Sequence, residues 1–255
     1  MNDLLRHIEL IWFKALAELR LEVTRSYIGI LWWVLEPVLY MAAFWLVFGL
    51  GQGQGGPGFV AFLLCGLVPW KWFSATVSTA ASSISAHAGL LHQVDVRKFV
   101  LPGFVVAANS LKFGVILALL MVFLLLVGVS PTLAWLWLPA VILTQLLFTL
   151  ALALCAAAAV PLVPDLRLVI DNLMLMLLFV SGIFFDPATL APGAESIVRL
   201  NPLVGLFEAY RAVLLDGRVP SFAMLSPALV GGSGMLLLAV LLLRRFERHY
   251  PKYLL

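Results

Sequence analysis

Four ionisable side chains, Glu36, Lys71, Lys112 and Asp171, fall inside stretches that are otherwise almost wholly apolar. Charge within a bilayer is costly, and by default it marks a route for an ion, a proton or a polar substrate. A proton or ion relay wants several carboxylates near the bilayer centre. Glu36 and Asp171 are the only candidates, and each lies a few residues from the end of its stretch, so a relay is poorly served. Snorkelling and helix-end capping compete as explanations for all four. The four histidines, His7, His87, His92 and His249, are scattered without metal-ligand spacing. No Gly-x-Ser-x-Gly elbow is present, and the Gly-rich run Gly51–Gly58 lacks the Lys-Ser/Thr ending of a phosphate loop. The expectation is therefore no catalytic group, no metal and no cofactor. Any active transport draws on an ion gradient or on a separate subunit.

Aromatic side chains form the second chemical signal. Trp32, Trp33, Trp135 and Trp137 suit the aromatic belt found at membrane interfaces. Tyr40, Phe44, Trp70, Trp72 and Phe73 lie deeper. Aromatic faces stack on the apolar faces of sugar rings, so these five are candidates for lining a substrate path, with lipid-facing packing as the competing explanation.

The elements that must carry these side chains are membrane helices. The chain is 63% hydrophobic and 11% charged, which excludes a soluble domain of this size. A helix needs ~20 apolar residues to cross the bilayer core and satisfies its own backbone there. Six such stretches are expected, near Ile28–Leu50, Phe59–Ser85, Val100–Val127, Ala134–Val160, Leu168–Phe185 and Phe222–Leu243. Ahead of them, residues 1–27 place Leu4, Ile8, Ile11, Ala15 and Leu19 at helical spacing with charges between, the pattern of an amphipathic helix lying in the interface and no signal peptide. Ser74, Ser78 and Ser82 are four apart, a small-residue stripe that reads as close helix packing. Residues 186–220 are too long for a bare loop and read as short amphipathic helices dipping into the outer leaflet, before 221–255 supplies the last span and a basic tail. Cys65 and Cys155 read as small hydrophobes rather than a disulfide.

Lys and Arg set the orientation. With six spans, one side holds Arg6, Lys14, Arg20, Arg25, Arg97, Lys98, Arg167, Arg244, Arg245, Arg248 and Lys252, and the other only Arg199, Arg211 and Arg218. Both termini are thus expected in the cytoplasm. The net charge of +3 is too small to argue for nucleic acid. On the basic side, Leu90, Leu91, Val94 and Phe99 alternate with Asp95, Arg97 and Lys98 in a short amphipathic loop suited to a protein partner. In the 186–220 segment, Asn201-Pro202 turns the chain back. Glu208 and Arg211 are three apart and are expected to pair.

Taken in order, these residues resemble the membrane subunit of type-2 ABC exporters for O-antigen and other cell-surface polysaccharides. The resemblance rests on Arg25–Pro37 with its Gly29-Ile30-Leu31-Trp32, on Gly66-Leu67-Val68-Pro69-Trp70 with Trp72-Phe73, on the loop His87–Pro102, and on Asn201-Pro202-Leu203 followed by Glu208-Ala209-Tyr210-Arg211. Lys71 has no place in that pattern. The resemblance implies an all-α polytopic membrane protein with six transmembrane helices, an N-terminal interface helix, a cytoplasmic coupling helix and re-entrant periplasmic helices, forming one domain over residues 1–255. It implies a homodimer in the bacterial inner membrane, resting on two copies of a separate ATPase. The implied cargo is a polyprenyl-pyrophosphate-linked polysaccharide, moved from cytoplasm to periplasm through a channel at the dimer axis. Tyr40, Phe44, Trp70, Trp72 and Phe73 would line the path. His92, Asp95, Arg97 and Lys98 would couple to the ATPase, and Asn201, Pro202, Glu208 and Arg211 would gate the periplasmic side. The same fold exporting teichoic acid, a drug or a glycolipid is the nearest alternative. A gradient-driven transporter without an ATPase, or a membrane enzyme on lipid-linked substrates, is more distant.

Overall fold

A computed structural model describes residues 2–25, 29, 31–44, 46, 57–87 and 97–246. The described chain is all helical: α1 (Asn2–Arg25), α2 (Leu31–Phe44), α3 (Pro57–Ala86), α4 (Val100–Leu126), α5 (Leu138–Ala159), α6 (Leu166–Val180), α7 (Pro192–Val198), α8 (Pro202–Leu214) and α9 (Phe222–Phe246). Among the described residues, four stretches are long and apolar enough to cross a membrane: Gly58–Ala86, Val100–Leu126, Leu133–Ala159 and Phe222–Arg245. They fall on the second, third, fourth and sixth expected spans. The first expected span runs into residues outside the described set.

The fifth expected span differs. Its helix, α6, has 15 residues, a rise of ~22 Å against the ~30 Å of a bilayer core. Ser181 ends it and Gly182 turns the chain at φ +69°, a left-handed conformation that favours glycine. Sequence apolarity continued through Ile183, Phe184 and Phe185 and concealed this stop, because a buried turn is as apolar as a span.

α3 is the hub. Helices α2, α4, α5, α6 and α8 all pack on it. On one side Leu64, Cys65 and Trp72 meet Phe113, Leu124, Tyr210 and Val213. On another, Leu67, Trp70 and Phe73 meet Phe148, Ile183 and Phe207. Nearer its C-terminal end Ala80 and Ile84 meet Leu101, Phe104, Ala157 and Leu243. Pro69 lies inside α3, and buried Gln145 of α5 donates to its carbonyl at 2.8 Å, a polar tie that lipid could not replace. Both cysteines are unpaired.

The N-terminal helix packs lengthwise on α4. The His7 ring is 5.7 Å from that of Phe99, Lys14 Nζ stands 4.5 Å from the Phe104 ring, and Glu22 pairs with Lys112. The two helices therefore run in the same direction. Ala15 is fully buried in this contact, while Trp12, Phe13 and Leu16 remain exposed on the other side.

Beyond α6 the chain forms α7 and then α8, nearly every residue of which is buried. Asn201 begins α8: its Oδ1 accepts from the Leu203 N–H at 3.0 Å and Pro202 occupies the first turn. Its Nδ2 donates to Ser181 Oγ at 2.8 Å, tying the start of α8 to the end of α6.

Candidate functional site

The intramembrane charges that the sequence singles out are brought together in a cleft between α1, α2, α3 and α4. Trp33, Glu36 and Tyr40 recur at i, i+3 and i+7 and so share one face of α2. Lys71, at the middle of the 30-residue α3, reaches across to that face. Its Nζ donates to Glu36 Oε1 at 2.5 Å and to Tyr40 OH at 3.3 Å, and lies 4.4 Å from the Tyr40 ring centroid. Lys112 of α4 pairs with Glu22 of α1 and stands 5.7 Å from the Trp33 ring, whose Nε1 donates to Glu22 at 3.3 Å. Each lysine thus has its own carboxylate, and the four charges sum to zero. All four side chains stay partly open to the cleft.

The cleft encloses about 260 Å³, bordered by both ion pairs, Trp32, Trp33 and Asn109. A second cavity of about 500 Å³ shares Glu22, Thr79, Asn109 and Lys112 with it, then continues past Ser78, Ser82 and His87 to Arg167 and Asp171. The two form one polar groove running from mid-helix to the end of α3. The sequence missed Glu22 as a partner, because it was read on a helix lying apart from the spans. The legible signal was the face shared by Trp33, Glu36 and Tyr40.

The small-residue stripe receives a different role from the one expected. Ser74, Ser78 and Ser82 are half-buried and flanked by exposed Ala75, Thr79 and Ser85. Ser78 and Ser82 line the groove floor with Thr79, whereas Ser74 donates to the Lys71 carbonyl at 3.5 Å. Ser82 Oγ is buried without a hydrogen-bond partner.

Two of the five deep aromatics do not line this cleft. Trp70 and Phe73 are 3% and 1% exposed. They sit together on another face of α3, their rings 5.7 Å apart, where Trp70 meets Phe207 edge-on at 6.5 Å and Phe73 stacks on Phe148 at 5.9 Å. Trp72 stacks on Phe113 at 4.2 Å and borders the cleft. Consecutive residues on a helix point in different directions, so a Trp-x-Trp-Phe cluster cannot face one path. Tyr40 adjoins the cleft through Lys71. The side chain of Phe44 lies outside the described residues.

Of the coupling residues, His92 and Asp95 lie outside the described residues. Arg97 and Lys98 immediately precede α4.

The expected Glu208–Arg211 pair does not form. Glu208 bonds Arg199 at 2.8 Å, and Arg199 also bonds Glu195 at 2.8 Å. Hydrogen bonds to Glu195 and then Glu208 hold the Arg199 guanidinium above its ordinary range. Arg211 turns inward. It donates to Gly182 O at 2.7 Å, Ile183 O at 2.9 Å and Phe62 O at 3.2 Å, with its guanidinium carbon 3.5 Å from the Phe62 ring centroid. A helix that stops within a membrane leaves carbonyls without partners. Arg211, supplied by α8, satisfies those just beyond the end of α6 and complements the negative end of its dipole.

Comparison with known proteins agrees with this architecture. The sequence profile of the ABC-2 type transporter family matches residues 10–215. The O-antigen export system permease protein RfbA of Myxococcus xanthus is 36% identical over 205 residues, 80% of this chain and 79% of that protein. A protein of the same name from Klebsiella pneumoniae is 24% identical over 201 residues, 78% of each chain. The polysialic acid transport protein KpsM of Escherichia coli is 25% identical over 214 residues, 80% of each. With apolar helices of crossing length and a family match over most of its sequence, the chain belongs to the ABC-2 type transporter family of multi-pass membrane proteins.

Proposed function

We propose that this chain is the membrane subunit of an ATP-driven exporter that moves a lipid-linked, O-antigen-like polysaccharide from the cytoplasm to the periplasm. It acts as one half of a homodimer, with two copies of a separate ATPase below it and no cofactor or nucleotide site of its own. Six spans carry the chain across a bacterial inner membrane with both termini in the cytoplasm, α2 and α6 being the short ones.

The observation that carries this reading is the groove. Its floor is Ser78, Thr79 and Ser82, and its walls bear an amide and tryptophans together with four acidic and three basic side chains. Hydroxyls, amides and carboxylates bond sugar hydroxyls, and indoles stack on pyranose faces, without demanding one sequence of sugars. A small net charge and small side chains let a polar chain slide rather than stick. Glu36 and Glu22 are each committed to a lysine, which removes two of the groove's four carboxylates from a proton relay.

The test is capture of the tagged full-length chain from its native membranes, followed by reconstitution. The expected result is copurification of a nucleotide-hydrolysing subunit in equal amount and glycan movement only with hydrolysable ATP. Transport sustained by an ion gradient, with no ATPase bound, would overturn the proposal.

A further inference from the structure

A second opening lies away from the groove, where α4 begins and α5 and α9 end. It is a cleft of about 600 Å³ whose walls include Ile11, Leu150, Leu154 and Leu243, from α1, α5 and α9. At its rim stand Arg97, Lys98 and Arg244, and among the described residues no carboxylate lines it. Among the described residues none of these three cations is in an ion pair. Gly103 lets α1 close on one side: a Cβ there would stand 3.1 Å from Ile11 Cδ1. Lys71, Lys112, Arg199 and Arg218, by contrast, each have a carboxylate.

An occupant must match both features, an apolar body between the helices and negative charge at the mouth. A folded protein docking from the aqueous side can meet the rim but has nothing to place between α5 and α9. A phospholipid does both, since its acyl chain is already at that depth and its phosphate lies where the cations are. We propose that this cleft binds an anionic phospholipid of the adjacent leaflet, with the phosphate held by Arg97, Lys98 and Arg244 and an acyl chain against Leu150, Leu154 and Leu243. Arg97 and Lys98 also form the root of the loop expected to meet the ATPase, so the lipid anchors that root against the bundle. The site is independent of the cargo reading.

The test uses the full-length chain in a neutral detergent, titrated with dioleoyl-phosphatidylglycerol, dioleoyl-phosphatidylcholine or soluble glycerol phosphate. Bound lipid is counted by native mass spectrometry and stability followed by thermal unfolding. Phosphatidylglycerol is expected to bind and raise the midpoint, with little effect from the other two. R97Q/K98Q/R244Q should lower phosphatidylglycerol affinity on the order of a hundredfold, from ~1 kcal/mol per cation. Arg245→Gln, at the same helix end but outside the cleft, should leave it unchanged. L150W keeps the charges and fills the wall, and it should also abolish binding, which guards against a triple variant that fails to fold. Equal binding by wild type, the triple variant and L150W would overturn the proposal. So would protection by glycerol phosphate alone, or loss of ATPase association in the triple variant with lipid binding intact, which would make the rim a protein-docking surface.

Discussion

Arg211 shows how a single side chain can hold three elements together. Its guanidinium bonds carbonyls of α3 and of the turn after α6 while its backbone belongs to α8. Arg211→Ala strands those carbonyls away from water, where each unsatisfied group costs ~1–3 kcal/mol. The expected loss is ~3–5 kcal/mol, comparable with breaking a buried charged contact, seen as a large drop in thermal midpoint of the purified chain. Glu208→Gln touches only the exposed Arg199 network and should cost ~0.5 kcal/mol. Because Glu208 and Arg211 have separate partners, the double change should be additive within ~0.5 kcal/mol. A larger coupling in that cycle would restore the direct pair that the spacing suggested. That both residues mattered was legible from the sequence. Their partners were not, since spacing on one helix cannot reveal carbonyls on another. Lys71 and Glu36 make the complementary case. Either change alone, Lys71→Met or Glu36→Gln, leaves a lone charge at mid-membrane and should lower folded yield more than both together; a double variant worse than the sum would show that the pair is not the reason for either residue.

Helices were mostly legible, and the failures share a cause. Period and apolar length located α3, α4, α5 and α9 within a few residues. α6 was read too long because the turn at Gly182 is itself apolar. The stripe Ser74, Ser78, Ser82 was assigned to helix packing because small residues serve equally to admit a helix or a ligand, and only the neighbours decide. Its role predicts a specific failure. Ser78→Phe/Thr79→Phe fills the groove floor without touching an ion pair or a buried aromatic. Export should fall more than about tenfold, as expected for a lost route rather than lost stability, while membrane level and ATPase association hold. Undiminished export would make the stripe a lipid- or protein-packing surface. Gly182→Ala tests the α6 stop: at φ +69° the new Cβ lies 3.1 Å from Pro187 Cγ, and a left-handed non-glycine costs ~1–2 kcal/mol. The thermal midpoint should drop accordingly; an unchanged midpoint would mean that the turn relaxes freely.

At the scale of the whole molecule, a bundle centred on α3 keeps its aromatic core on one side and an open, charge-lined groove on the other. The sequence conveyed the class of protein, because composition and span count are global properties. It did not convey which face of α3 was core, since Trp70, Trp72 and Phe73 carry the same chemistry whether they stack on each other's neighbours or on a sugar. The central claim is that the polysaccharide travels along the Ser78–Thr79–Ser82 face. The direct measurement places a photo-crosslinking amino acid at Thr79, and separately at exposed Leu126 and Leu168, in the exporting complex stalled with non-hydrolysable ATP. The account predicts glycan captured at Thr79 and none at Leu126 or Leu168. Equal capture at all three positions, or none at Thr79 while glycan is caught at Leu126 or Leu168, would contradict it.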